Sequence, residues 1–79
     1  MKIEVLGSGC DRCRSLSRNA SEAVADLGLD VTVAEVHDVA EIVRRGILTT
    51  PALVIDDEVV VAGRVPTVGR IRQMLGSRD

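Results

Sequence analysis

The chain has 79 residues, 46% of them apolar and 28% charged, with a formal net charge of −2. That balance argues against a disordered chain and against nucleic acid or an anionic membrane as partner, and the absence of Phe, Tyr and Trp removes any stacking platform for single strands. A single small domain over 1–79 is expected, with a thin core of Val, Leu, Ile, Ala and Met.

Residues 2–6 place Ile3 and Val5 on one face and Glu4 on the other, which predicts a short strand stopping at Gly7-Ser8-Gly9. This apolar run is too short for a signal segment or a membrane span, so the chain reads as cytoplasmic. Over residues 11–27 the period becomes helical. Leu16, Ala20, Ala23, Val24 and Leu27 form one stripe, and Gly28 stands where such a helix stops. Residues 30–36 alternate again and predict a second strand, parallel to the first through a right-handed crossover.

In residues 37–45, Val39, Ile42 and Val43 recur at helical spacing behind Asp38 as N-cap, with Glu41 completing a capping box and Gly46 ending the helix. Thr49-Thr50-Pro51 leads into Ala52-Leu53-Val54-Ile55. The charged turn Asp56-Asp57-Glu58 joins that run to Val59-Val60-Val61-Ala62 as a hairpin. Thr67, after Pro66, caps a last helix carrying Val68, Ile71, Met74 and Leu75 on one side. The order is β-α-β-α-β-β-α. It predicts an α/β fold whose mixed four-stranded sheet, a parallel pair plus an antiparallel hairpin, is covered by three helices.

Chemistry concentrates at Cys10-Asp11-Arg12-Cys13. The pair falls where a strand passes through a Gly-rich loop into a helix N-terminus. Residues i and i+3 share a helical face, so the two sulfurs come within reach of each other. The open amides and positive dipole end of the first turn favour a thiolate on Cys10. Cys10 is expected exposed and Cys13 inward, as attacking and resolving thiols, with Arg12 in the first turn tuning Cys10. Two other readings remain open: a static bridge, which a four-residue loop makes a poor stabiliser, and half of a zinc site, which one His cannot complete within a single chain. His37 reads as a solvated loop residue, with a metal or acid–base role as its alternative. Gly7-Ser8-Gly9 matches no phosphate-binding motif, so its role is to let the chain turn and expose Cys10. Pro51 either ends the preceding loop or forms a cis bond beside the dithiol, aiming the Thr50 backbone at an extended substrate.

The run V-L-G-S-G-C-D-R-C, then T-T-P-A-L-V-I-D, then V-V-V-A-G-R-V-P-T resembles the small thioredoxin-like proteins known as small redox-active disulfide proteins. The similarity runs from Lys2 to about Leu75. It implies a thioredoxin-like fold with sheet order 2-1-3-4 and a cis peptide at Thr50-Pro51. It also implies Cys10 as nucleophile, Cys13 as resolving thiol, Pro51 as the cis-proline beside them, and Gly63 as the glycine next to that loop. The chain departs from ordinary thioredoxins in having Gly9 before the first Cys and Asp11-Arg12 between the pair.

The expected activity is thiol–disulfide exchange on a protein or small-molecule disulfide by a monomer that needs an external reductant and no cofactor or metal. The alternatives are a soft-metal carrier using the same dithiol and a redox-sensing accessory protein of low turnover. A soft-metal carrier of the ferredoxin-like type runs βαββαβ and has no role for Thr50-Pro51.

Overall fold

The computed structural model describes residues 1–9 and 11–77. In chain order they form β1 (Ile3–Leu6), α1 (Asp11–Asp26), β2 (Val33–Val36), α2 (Val39–Arg44), β3 (Ala52–Ile55), β4 (Glu58–Ala62) and α3 (Val68–Gly76). The sheet has the order β2-β1-β3-β4. β1 runs parallel to β2 and antiparallel to β3, and β3 pairs antiparallel with β4. No described helix is long and apolar enough to cross a membrane.

Both inner strands are buried on both faces. Ile3, Val5, Leu53 and Ile55 face α1 and α3, where Leu16, Ala20, Ala23, Val24, Ile71 and Leu75 complete one core. Leu6, Ala52 and Val54 face the other way and meet Ile42 and Ile47. The alternation of period two divides the apolar residues between two layers, as strand geometry requires. Glu4 lies on the second face and is also buried, because α2 and the turn after it cover that side. Arg45 reaches both of its carboxylate oxygens, at 2.8 and 2.9 Å. A buried carboxylate is tolerable only when paired and hydrogen-bonded in this way.

The sequence-level expectations shift in several places. β2 is shorter than residues 30–36, although Leu29 and Val31 still pack on the first core. Leu27 falls off the α1 stripe and is exposed, because the helix ends at Asp26. In α2 only Ile42 is buried, while Val39 and Val43 are exposed. Asp38 caps α2 by accepting from Ala40 N–H at 3.0 Å. The capping box does not close, since the Glu41 carboxylate is taken by Arg44 and Arg45. Glu58 belongs to β4, so the hairpin turn is the two residues Asp56 and Asp57. Both have positive φ, 50° and 68°, the pattern of a type I′ turn. The ladder shifts register between Leu53 and Val54, leaving Val60 as the extra residue of a bulge. Thr67 caps α3 as expected, its hydroxyl accepting from Arg70 N–H at 3.1 Å.

Candidate functional site

Cys10 lies outside the described residues, so the site is defined by what surrounds the positions on either side of it. Cys13 is the third residue of α1, on the inward stripe with Leu16 and Ala20, and is 2% exposed. This is the inward position expected of it. Its Sγ sits where a side chain of Gly7 would be: a Cβ built on Gly7 overlaps Cys13 Sγ and comes within 3.8 Å of Pro51 Cα. Gly7 has no positive φ, whereas Gly9 has one, +84°. The two glycines of Gly7-Ser8-Gly9 therefore serve different ends, Gly9 for backbone conformation and Gly7 for space.

Pro51, immediately before β3, flanks the same glycine. It is buried, and the Thr50-Pro51 peptide is cis, as the resemblance implies. Its carbonyl accepts from Gly63 N–H at 2.8 Å. The Gly63 carbonyl accepts in turn from the Arg12 guanidinium, also at 2.8 Å. Gly63 has φ +78°, and a Cβ there would stand 2.5 Å from Thr49 Cγ2. Positive φ and close approach both demand glycine at that position. Positions 7, 12, 13, 51 and 63 thus meet at one end of the sheet. Thr50 is half-buried and is placed by its cis bond to Pro51.

Arg12 was expected to act on Cys10 by charge. Its guanidinium is hydrogen-bonded across the site, tying the first turn of α1 to the loop after β4.

Sequence reasoning missed Gly7 as a packing position, Thr49 as the neighbour of Gly63, and the placement of His37. His37 is an exposed loop residue, as expected, and its ring also bonds the Gly7 carbonyl at 3.0 Å through Nδ1. Glu35 Oε1 stands 3.5 Å from its Nε2. The available signal was topological: a parallel partner strand ends beside the exit of β1, so the first residue after β2 must lie near Gly7.

A mixed sheet of order 2-1-3-4, a buried cysteine in the first turn of α1 and a cis-proline flanking the same glycine together define a thioredoxin-like protein. Residues 1–76 match the thioredoxin domain family, and the chain belongs to that family. It is 36% identical over 75 residues to a thioredoxin of Methanothermobacter thermautotrophicus, covering 95% of this chain and 97% of the relative. It is also 36% identical over 75 residues to a thioredoxin of Methanocaldococcus jannaschii, covering 95% of this chain and 86% of that relative.

Proposed function

We propose that this thioredoxin-type protein is a thiol–disulfide oxidoreductase with Cys10 as nucleophile and Cys13 as resolving thiol. The observation that carries the reading is the burial of Cys13 against Gly7, a glycine that the cis-Pro51 also flanks, at the head of a helix that begins immediately after Cys10. A thiolate at such a helix start is favoured by the unpaired amides and the dipole of the first turn. The element order also supports exchange chemistry over a soft-metal carrier, since the chain ends in a helix and carries a cis-proline at Thr50-Pro51.

In the proposed reaction the Cys10 thiolate attacks one sulfur of a substrate disulfide, forming a mixed disulfide and expelling the other sulfur as thiolate. Cys13, deprotonated, then attacks Cys10 Sγ, forming the Cys10–Cys13 bond and releasing the second substrate thiolate. Two electrons pass from the dithiol to the substrate, and an external dithiol restores the protein. The substrate docks as an extended segment against Thr50, Pro51 and Gly63, at the same end of the sheet.

The test is insulin reduction with dithiothreitol as electron source, alongside a redox titration of the protein followed by mass spectrometry of alkylated thiols. The reading expects acceleration by the wild type, none by Cys10→Ser, and a reversible loss of two mass-labelled thiols. An inactive wild type with no reversible Cys10–Cys13 couple overturns it.

A further inference from the structure

We infer that His37 is a positioning residue of the redox site, clamping the Gly7-Ser8-Gly9 turn that delivers the chain to Cys10. The inference rests on the oxidoreductase reading above and adds a residue to it.

The argument begins with the ladder. β1 and β2 are parallel, and Gly7 N–H continues their pairing by donating to the Val36 carbonyl at 2.9 Å. At Asp38 the chain turns to cap α2. The bond to the Gly7 carbonyl comes instead from a side chain, His37 Nδ1 at 3.0 Å. Consecutive residues at the end of β2 thus hold both backbone polar groups of Gly7. A carbonyl only accepts, so this bond requires the proton on Nδ1. The opposite nitrogen, Nε2, lies 3.5 Å from Glu35 Oε1 and donates to that carboxylate only when the imidazole carries both protons.

The same ring reaches the other end of the turn. A Cβ on Gly9 would lie 3.6 Å from both Cε1 and Nδ1 of His37, so the imidazole stands beside the open face of the residue preceding Cys10. At the near end, Gly7 borders Cys13 Sγ. One side chain therefore braces the turn between the two positions whose sulfurs must meet. Exchange requires the attacking, central and leaving sulfurs to align, and a turn with two glycines has little stiffness of its own. His37 supplies the stiffness from a neighbouring strand.

Two variants separate positioning from mere presence. His37→Ala removes the donor. His37→Asn keeps an N–H near the place of Nδ1 and removes the ring. The inference expects wild-type neutral His37 to carry its proton on Nδ1 in ¹⁵N-edited NMR. It expects the Gly7 amide, which donates to the Val36 carbonyl, to exchange with solvent about five-fold faster in His37→Ala, the worth of one net hydrogen bond, while Leu53 and Ile55 amides are unchanged. It expects disulfide exchange to slow by a similar factor in His37→Ala and to return at least half-way in His37→Asn.

An Nε2–H tautomer overturns the inference. So do an unaltered Gly7 amide in His37→Ala, an unaltered disulfide-exchange rate in that variant, or His37→Asn no better than His37→Ala. An inactive wild type overturns the oxidoreductase reading instead, and the tautomer and the Gly7 amide still judge the clamp.

Discussion

Cys13 Sγ occupies the space that a side chain of Gly7 would fill. The first strand and the first helix can approach this closely at the site only because position 7 has no Cβ. Gly7→Ala forces α1 or the turn to move, and overpacking of this kind costs about 2–3 kcal/mol. Urea denaturation measures it. In a Cys13→Ala background the same substitution costs less, because the sulfur is gone, and a double-mutant cycle yields the coupling between the two residues.

Gly63→Ala meets two obstacles, the positive φ and Thr49 Cγ2. The expected loss is about 2 kcal/mol. Replacing Thr49 by Ser removes the methyl and recovers only the steric part, since the backbone conformation still disfavours a Cβ. Comparing unfolding midpoints of Gly63→Ala and Thr49→Ser/Gly63→Ala separates the two contributions.

Arg12→Met removes the bond to the Gly63 carbonyl while keeping much of the side-chain stem. Because Arg12 is exposed, the stability loss stays below about 1 kcal/mol. The measurable consequence is local: the loop around Gly63 loosens, and the Gly63 amide, bonded to Pro51, exchanges faster than in the wild type. An unchanged Gly63 amide would show that the guanidinium holds nothing in place.

The hairpin turn places Asp at two positions of positive φ. Asp tolerates that region better than most residues but less well than glycine. Asp57→Gly is expected to stabilise the protein by about 0.5–1 kcal/mol. Asp56→Gly gains less, because Asp56 Oδ1 accepts the Lys2 N–H at 2.8 Å. Thermal melts of the two variants give the ranking.

Glu41, bonded to both Arg44 and Arg45, contributes to the behaviour in acid. Hydrogen bonds from Arg44 first, then Arg45, hold the Glu41 carboxyl below its ordinary range. The depressed value means that Glu41 contributes stability above its unfolded pKa and loses it as pH falls through the folded value. Glu41→Gln therefore flattens the acid side of the stability profile. Arg45→Met has a different effect: it leaves the buried Glu4 carboxylate without its two short bonds. The expected cost is about 3 kcal/mol, and pairing it with Glu4→Leu restores most of that.

The order of elements was legible in the sequence because strand and helix periods change cleanly at Gly7-Ser8-Gly9, Gly28, Gly46 and Pro66. The chemistry proposed for Cys10 and Cys13 came from their place at a strand-to-helix junction in the sequence, and the interest of Thr50-Pro51 and Gly63 from the motifs around them. Less visible was which residue of an amphipathic stretch would be covered. Val39 and Val43 look equal to Ile42 in the pattern, yet α2 has only six residues and turns one of its apolar positions inward.

By itself the sequence determined the local structure, the pair of cysteines and the family, since these depend on periodicity, turn chemistry and short spacings along the chain. Only the tertiary structure decided what each of these residues faces. Glu4 becomes a buried carboxylate because a second layer covers that side of the sheet. Arg12 becomes a strut because Gly63, far along the chain, arrives opposite it. Gly7 makes room for a sulfur, and His37 meets the turn before Cys10, because a parallel strand ends beside them. Such relations come from how distant segments pack, and no pattern within a single segment contains them.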